Sequence, residues 1–579
     1  MIATRRRVAR LGAATLAVAT AATLAACGSG DSEAGPSDTR VVRHAMGETS
    51  VPVDPKRVVV IDSPHLDALA AGGVYERELD DAETDVLLAL LDAASTAWVP
   101  VSGRTGTSGS DSGVTITVTP CEGATTVRTL ERFRWARRPD GTVEAAKGGA
   151  LVFKPKAGFT GSVQLKAVVS PAVALYSSNI PPLATVGGVS IDGSGYGSSW
   201  TPVPGAPGEF YGLTDRGPNV DGPNKDEKVA ATPDFTPQIG RFKLEDGAAV
   251  LQSVITLKGR DGRPLNGRND TAAPTGEKML DLDGVELRPT DHGIDSEGLV
   301  ALPDGSFWVS DEYGPFLIHF DANGQELERL LPGKGLPEVL KSRTPNQGME
   351  GLTVTPDGKR LVGIMQSALN VPGLSGSAKE VPVTRIVAID LATKAVQQYA
   401  YLLDNPKDTK KAVSEITAIS DTEFLVDERD GKTAPKANKT IYRISLDGAT
   451  PLGEQNPETI AGVTGTAEAE TALKGAGITP VRKTVALDLS GLVDKLNPAG
   501  KFFGHDKVEG LASPDGGKTL FIANDSDFGL AGIAGPKTPF QLKAKILANG
   551  LQDSLEVLKV DTTKLNEPTA ERTITVTVG

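Results

Sequence analysis

Acidic residues recur at the ends of short apolar runs, and one stretch shows the pattern in full. Residues 295–313 read D-S-E-G-L-V-A-L-P-D-G-S-F-W-V-S-D-E-Y, with the turn Pro303-Asp304-Gly305 between two runs of β-forming residues. Folding about this turn brings Glu297 roughly opposite Asp311 at the open end of a hairpin. Facing carboxylates destabilise a strand pair unless a cation or a shared proton compensates for them. The spacing therefore predicts a cation-binding or proton-binding site at this end.

The pattern repeats along the chain. Further copies begin at Met349-Glu350-Gly351-Leu352, at the looser Ser414-Glu415-Ile416-Thr417 and at Val508-Glu509-Gly510-Leu511, and a degenerate first copy ends at Thr214-Asp215-Arg216. Self-similarity at intervals of roughly 50 residues or a multiple, with a hairpin in every copy, is typical of a propeller or a solenoid. Antiparallel hairpins and few helical stretches favour a β-propeller.

A propeller would bring the acids of separate hairpins together around one pore. The predicted metal ligands are Glu297, Asp311, Glu312, Glu350, Glu509 and Asp525. Carboxylate oxygens of this kind suit a divalent cation such as Ca²⁺, which takes six to eight oxygen ligands. Such an ion could activate water for hydrolysis. A purely structural role of the repeat, with each Glu forming a turn beside its Gly, is the alternative.

Histidines and arginines near these motifs complete the predicted site. His292 and His505 each precede a motif glutamate and are candidates, with Glu297 and Glu350, for general acid or base catalysis. The candidates for clamping an anionic substrate group are Arg216, Arg343, Arg385 and Arg429. The alternatives are structural histidines and salt-bridged surface arginines. No G-x-S-x-G motif is present, which argues against a serine esterase.

Length and charge limit the possible functions. A chain of 579 residues predicts two or three domains. Removal of residues 1–26, which carry four Arg and no acid, from a total of 60 basic and 73 acidic residues leaves a net charge of about −17. Such a surface repels nucleic acid and anionic lipid headgroups. We therefore expect a small anionic or ester substrate, no nucleic-acid partner, and a monomer by default.

The N-terminus is predicted to be a targeting segment. Arg5-Arg6-Arg7 precedes the short apolar run Leu11–Leu24, which is too short and too rich in Ala to span a membrane. Leu24-Ala25-Ala26-Cys27 resembles the lipobox of bacterial lipoproteins, which implies lipidation of Cys27, removal of residues 1–26 and a lipid-anchored, extracytoplasmic protein. Ordinary secretory cleavage is the alternative. Residues 27–38 read as a flexible tether.

Residues 39–180 precede the repeats. Residues 39–74 resemble the start of siderophore-binding proteins of iron transporters, which implies a hairpin, a strand and a helix. Apolar residues at helical spacing predict an amphipathic helix over 75–94, so that 39–100 form a short α/β fragment. The β-rich stretch that follows a Gly/Ser/Thr linker predicts a small β-sandwich-like module over 101–180.

The remaining residues, 181–579, are predicted to form the propeller, and their number predicts six or seven blades. The blocks I-D-S-E-G-L…W-V-S-D-E-Y-G-P, N-Q-G-M-E-G-L and F-F-G-H-D-K-V-E-G-L resemble the phytase-like family, also called "esterase-like activity of phytase", over about 184–560. The resemblance implies an all-β propeller and phosphoester or ester hydrolysis. A calcium-dependent lactonase or carboxylesterase, a non-catalytic binding propeller and, more remotely, siderophore binding are the alternatives.

Overall fold

The computed structural model describes residues 170–568, apart from 179, 246 and 499, together with the backbone of ten strands within 39–169 and of one strand at Ala570–Val578. The chain divides into two compact units. One comprises residues 172–567, and the other comprises residues 1–171 and 568–579. No helix in the described ranges has both the length and the apolar character needed to cross a bilayer.

The larger unit contains five four-stranded antiparallel arrays, which we call blades 1 to 5. Blades 1 and 5 are joined into one eight-stranded sheet by the parallel pairing of Ser177 with Ala248. Blade 1 consists of Ser199–Pro202, Glu209–Leu213, Gln238–Glu245 and Ala248–Thr256. Blade 2 consists of Ser296–Ala301, Phe307–Asp311, Phe316–Phe320 and Glu326–Pro332, with the short strand Gly335–Leu336 added at its edge. Blade 3 consists of Met349–Val354, Arg360–Met365, Val383–Asp390 and Val396–Leu402.

The last two blades follow the same plan. Blade 4 consists of Ala412–Ala418, Glu423–Arg429, Lys439–Ser445 and Arg482–Asp488. Blade 5 consists of Val508–Ala512, Thr519–Asn524, Glu556–Asp561 and, as its fourth strand, Val173–Ser177 from the start of the unit. The sequence analysis assigned Val173–Ser177 to the preceding module. Its antiparallel pairing with Glu556–Asp561 shows instead that it completes the final blade.

Contacts between the first and second strands of successive blades arrange the blades in a closed ring. The Leu299 amide of blade 2 donates to Ser199 Oγ of blade 1 at 3.1 Å, and Ser310 Oγ of blade 2 donates to the Glu350 carbonyl of blade 3 at 2.8 Å. The Leu352 amide of blade 3 donates to Glu415 Oε1 of blade 4 at 3.0 Å. Arg429 of blade 4 forms an ion pair with Glu509 of blade 5, and Gly510 of blade 5 packs against Trp200 of blade 1, which closes the ring. The predicted β-propeller is confirmed.

Apolar side chains fill the spaces between adjacent blades. The four clusters contain Leu213 with Leu299 (blades 1 and 2), Trp308 with Leu352 (2 and 3), Ile364 with Phe424 (3 and 4), and Trp200 with Val557 (1 and 5). Both faces of the inner strands are therefore covered, as the continuous burial of Phe307–Asp311 shows.

The blade number differs from the expectation: the described residues form five blades rather than six or seven. Long insertions between blade strands account for the difference. Two insertions together form a separate sheet: Asn219–Asp221 and Glu227–Ala230 lie within blade 1, and Lys278–Leu280 and Glu286–Leu287 lie between blades 1 and 2. A third insertion, within blade 4, carries the helices Pro457–Ala461 and Thr466–Gly475. The unit also contains helices at Pro406–Thr409 and Leu489–Leu496 and the hairpins Ala184–Val186/Val189–Ile191 and Leu530–Ile533/Leu542–Ala544. Four short 3-10 helices lie at Glu338–Ser342, Ala378–Glu380, Asp527–Gly529 and Thr562–Lys564.

The smaller unit is rich in strands. Its four-stranded antiparallel sheet has the strand order Ala570–Val578, Gly161–Val169, Ser112–Pro120 and Thr126–Leu130. Two strand pairs, Thr39–His44/Gly47–Pro52 and Val86–Leu88/Leu151–Phe153, and a three-stranded sheet of Gly109–Ser110, Arg134–Arg137 and Val143–Ala145 accompany it. Ala570–Val578 was expected in the propeller but pairs with Gly161–Val169. Val86–Leu88 is a strand, so the helix predicted over 75–94 is wrong at these residues, because pairing with Leu151–Phe153 overrides the local helical spacing. The strand and helix implied by the siderophore-protein resemblance, the signal segment, Cys27 and Cys121 lie outside the described residues.

The glycine of the repeated Glu-Gly-Leu motif allows adjacent first strands to approach each other. A Cβ at Gly298 would lie 2.6 Å from the Leu352 backbone nitrogen and 2.7 Å from Ser310 Oγ, which are impossible contacts.

We expect Gly298→Ala to lower the free energy of unfolding by about 2 kcal/mol or more in urea titrations. Gly431→Ala, at an exposed glycine with no atom within 4 Å of the added carbon, is the control and should change it by less than about 0.5 kcal/mol. Equal stability of the two variants would contradict this packing role.

Candidate functional site: a carboxylate cluster at the propeller axis

An irregularity at the start of the first strand recurs in four blades. The pairing register breaks between Ser296 and Leu299, Met349 and Gly351, Val413 and Glu415, and Val508 and Gly510. In blades 3 and 5 the residue skipped by the ladder is the motif glutamate itself, Glu350 or Glu509. A β-bulge redirects the side chain of the extra residue. The repeated motif therefore encodes a bulge that presents a carboxylate near the axis.

Blade 4 departs from this rule by one position. The residue skipped there is Ser414, so Glu415 occupies the place of the motif glycine. Its Oε1 accepts hydrogen bonds from the Leu352 amide at 3.0 Å and the Ile416 amide at 2.9 Å, and Ser199 Oγ donates to Oε2 at 2.5 Å. Burial raises the pKa of Glu415 well above its ordinary range. Because Ser199 belongs to blade 1, this carboxyl group crosses the axis and ties together blades that are not neighbours.

Three carboxylates lie close together between blades 1 and 2. One oxygen atom each of Asp295, Glu297 and Glu312 lies within 4.8 Å of the others, and the three residues are 2%, 9% and 5% exposed. Asp295 forms an ion pair with Arg216 at 3.4 Å. The Glu297 and Glu312 carboxylates form no hydrogen bond and no ion pair with any residue that the structure describes. This acidic group can hold a metal ion.

The electrostatics of this group follow from burial and like charge. Burial, then the nearby Glu350 and Asp295, raises the pKa of Glu297 well above its ordinary range. Burial and Asp295 raise the pKa of Glu312 to about 8. Buried carboxylates without a cation therefore hold protons near neutral pH, whereas a divalent cation would favour the ionised forms.

Glu350 borders the group from blade 3. Its Oε1 accepts a hydrogen bond from Gln366 Nε2, whereas Oε2 is buried and has no partner among the described residues. Burial, followed by the repulsion from Glu312 and Glu509, raises its pKa well above the ordinary range. An unpartnered buried oxygen is costly unless a proton, a water molecule or a cation meets it. We name Asp295, Glu297, Glu312 and Glu350 the open carboxylate cluster.

The acids from the blade 5 side are compensated by the chain itself. Arg429 pairs with Glu509 and also donates from Nε to Ser414 Oγ at 2.9 Å. Lys507 Nζ lies 3.1 Å from Asp525 Oδ2 and 2.6 Å from Asp527 Oδ1. The predicted ligands Glu509 and Asp525 thus already have cationic partners. The sequence analysis predicted a ring of equivalent acids, whereas the structure divides them into an open and a compensated half.

Asp311 is placed differently from the other predicted ligands. Its Oδ1 accepts hydrogen bonds from the Asp295 and Tyr313 amides at 3.1 and 2.9 Å, which fixes the turn carrying both residues. Its Oδ2 has no described partner, and burial raises the pKa of Asp311 to about 8. Asp311 is not part of the group within 4.8 Å. It positions Asp295, which the motif search missed because Asp295 lies two residues before the repeated glutamate.

The four predicted arginines have different environments. Arg216 bridges Glu277 at 3.0 Å and Asp295 at 3.4 Å. Arg343 is half-buried, donates only to the carbonyls of residues 273 and 274 and forms no ion pair with the described residues; burial lowers its pKa. Arg385 is buried on the third strand of blade 3 and binds Glu458 Oε1 and Oε2 at 2.6 and 2.7 Å, so it anchors the helical insertion rather than a substrate.

Neither predicted histidine contacts the open carboxylate cluster. His292 Nε2 lies 3.0 Å from Asp261 of an exposed loop. His505 is fully buried, with Nδ1 2.8 Å from Asp553 and Nε2 2.8 Å from Glu556. Glu556 Oε1 accepts a hydrogen bond from Ser177 Oγ of the strand that closes the propeller. His505 therefore holds the final blade together.

This buried triad makes stability depend on pH. Burial alone would lower the pKa of His505, but the carboxylates of Asp553 and Glu556 outweigh it and raise that pKa to about 9, from an ordinary 6.5. The raised pKa stabilises the fold fully below pH 6.5, and the contribution disappears as the pH rises through 9. We expect a loss of roughly 3 kcal/mol of unfolding free energy over this range, measured by urea titration at several pH values.

His505→Gln should lower stability at pH 6 and weaken the pH dependence, most clearly above pH 8, where carboxyls such as Glu312 and Asp311 have already lost their protons. His292→Gln removes a partly exposed pair and serves as the control, which should retain most of the pH dependence. A wild-type stability that is constant from pH 6.5 to 9 would show that His505 is not held as a cation.

Comparisons with solved structures give low TM-scores. A protein from Lactobacillus plantarum is 11% identical, with 80% of this chain and 99% of that chain covered and a TM-score of 0.27. The calcium-binding protein regucalcin from Agrobacterium tumefaciens is 11% identical, with 63% and 90% covered and a TM-score of 0.25. The sheets and their ring order show the β-propeller independently of these structures.

Sequence comparison is more informative. An uncharacterized secreted protein of Arthroderma benhamiae is 32% identical over 192 residues, which cover 26% of this chain and 37% of that relative. The chain thus spans little more than a third of the length of this relative. Residues 195–528 match the phytase-like family described as "esterase-like activity of phytase". Because this match covers more than half of the chain and all the blade motifs, the protein belongs to the phytase-like family.

Proposed function

We propose that the protein is a metal-assisted hydrolase of phosphoesters or carboxylic esters in small anionic substrates. The observation that carries this proposal is the open carboxylate cluster, in which Glu297 and Glu312 have no cationic partner and Glu350 has an unpartnered oxygen. A structural repeat of glutamates would have each carboxylate satisfied by the chain, as Glu415 is. The family description supports the same reaction class.

The donor set suits a calcium ion. Asp295, Glu297 and Glu312 supply closely spaced carboxylate oxygens and no nitrogen or sulfur atoms, which is the chemistry that Ca²⁺ prefers. A divalent ion at these oxygens would activate a water molecule and polarise a phosphoryl or carbonyl oxygen of the substrate. The Arg216 ion pair holds Asp295 in place at the edge of this group.

Other residues of the chain serve the proposed reaction directly. Glu350 Oε2 is a carboxylate oxygen of the cluster without a partner among the described residues, so it accepts the proton that an attacking water molecule releases. Gln366 orients Glu350 through its other oxygen. Arg343, a guanidinium without a carboxylate partner among the described residues, is the best placed of the predicted arginines to bind an anionic substrate group.

The N-terminal features bear on location. The predicted signal segment of residues 1–26, the lipobox cysteine Cys27 and the secreted relative support an extracytoplasmic protein anchored by lipid at the cell membrane. Metabolic labelling with a fatty acid, compared between the wild type and Cys27→Ala, tests the anchor.

We expect hydrolysis of phytate, aryl phosphates, aryl esters or lactones to require Ca²⁺, measured as release of phosphate or a phenol or as opening of the lactone ring. Glu297→Gln and Glu350→Gln should each lower kcat/KM at least 100-fold because they remove a cation ligand and the proton acceptor. Glu286→Gln, at an exposed glutamate of the inserted sheet, is the control and should retain wild-type activity.

The substrate that is turned over separates the alternatives. Hydrolysis of lactones without phosphoesters would favour a lactonase. Binding of phosphoesters without turnover, unchanged in Glu297→Gln, would leave a binding propeller and contradict the proposed reaction. Elemental analysis of the Glu297→Gln/Glu350→Gln double variant reports metal loss independently of activity.

A further inference from the structure

The compensated half of the site contains a cation supplied by the chain. Lys507 lies two residues before the motif glutamate of blade 5 and is only a third exposed. Its Nζ contacts Asp525 Oδ2 at 3.1 Å and Asp527 Oδ1 at 2.6 Å, so a single ammonium bridges two carboxylates, as a metal ion would. Asp525 is 1% exposed and has no other cation at ion-pair distance among the described residues.

We propose that Lys507 is a tethered cation that fills a second cation position at the propeller axis, so that the protein binds one divalent ion rather than two. The inference rests on the proposed metal site, which it extends by a stoichiometry and by the residue that sets it. An ammonium has three donors and a fixed single charge, so it can satisfy Asp525 and Asp527 without a metal.

The neighbouring lysine shows why Lys507 has this role alone. Lys545 Nζ binds Asp506 at 2.6 Å and Asp527 at 2.7 Å, and it lies 3.4 Å from Asp553 of the His505 triad. It therefore neutralises the outer side of Asp527 and stabilises the closing blade. Asp525 depends on Lys507, as does the nearby Asp215, whose carboxylate accepts only the Gly217 amide at 2.8 Å.

Proximity explains how Lys507 would exclude a second ion. A divalent cation between Asp525 and Asp527 would have to occupy the place of the ammonium, and like charges a few ångströms apart repel strongly in a partly buried site. Removing the charge leaves Asp525, Asp527 and Asp215 as oxygen donors without that partner. Asp525 and Asp215 would then resemble the open carboxylate cluster in chemistry and in lacking a cationic partner, whereas Asp527 would keep its ion pair with Lys545.

The test is a count of bound Ca²⁺ by isothermal titration calorimetry and by elemental analysis after dialysis, on the full chain. We expect one ion for the wild type, two for Lys507→Met and one for Lys507→Arg, which keeps the charge. Lys518→Met, at an exposed lysine outside the site, is the control and should bind one ion. If Lys507→Met is unstable, Lys507→Gln replaces it, with circular dichroism confirming that the protein is folded.

The outcomes separate this proposal from the proposed function. Two ions in the wild type, or one in both the wild type and Lys507→Met, would overturn it. In the Glu297→Gln/Glu312→Gln background, Lys507→Met should still gain one ion relative to its parent. A wild type that binds none, with one ion gained in Lys507→Met, would support the tethered cation while removing the metal from the proposed function.

Discussion

The carboxyl group of Glu415 is the interaction on which the centre of this propeller depends. It receives backbone hydrogen bonds from blades 3 and 4 and a side-chain hydrogen bond from Ser199 of blade 1, and Ser199 in turn accepts the Leu299 amide of blade 2. Four of the five blades thus meet at one fully satisfied acid. This group therefore links blades that are not neighbours in the ring.

Two kinds of carboxylate result from this arrangement. Glu415 is buried and fully hydrogen-bonded, and Glu509 and Asp525 are paired with Arg429 and Lys507. The open carboxylate cluster is equally buried, but only Asp295 has a cationic partner, Arg216, among the described residues. The availability of these acids to a ligand therefore depends less on their number than on where the chain places its own positive charges. The repeat supplies the carboxylates, and cationic residues near it, such as Arg429 and Lys507, determine which of them remain available for a ligand.

The repeated Glu-Gly-Leu motif made the propeller and its axial acids predictable, because a bulge and a glycine at a close strand contact are local requirements. The blade number was wrong since insertions cannot be distinguished from blades by length. The sequence analysis placed Glu415 of blade 4 at the position of the motif glutamate, but Ser414 occupies the bulge there, and a serine does not match the motif. His505 looked catalytic because its partners Asp553 and Glu556 lie 48 and 51 residues further along the chain and carry no motif. Charge pairing of this kind depends on tertiary contacts that sequence spacing does not encode.

The strand Val173–Ser177 has a consequence for how the protein is made. Its partner in blade 5, Glu556–Asp561, is separated from it by almost the whole propeller, and the Ser177–Glu556 hydrogen bond spans 379 residues. The first strand of the unit is therefore synthesised long before its partner strand, and it cannot form this pairing until nearly all of the chain has been made. Contacts of such long range slow folding. Without Glu556–Asp561, the edges of Val173–Ser177 and Thr519–Asn524 that pair with it stay exposed. We therefore expect a chain truncated before Asp561 to aggregate rather than to form a shorter propeller.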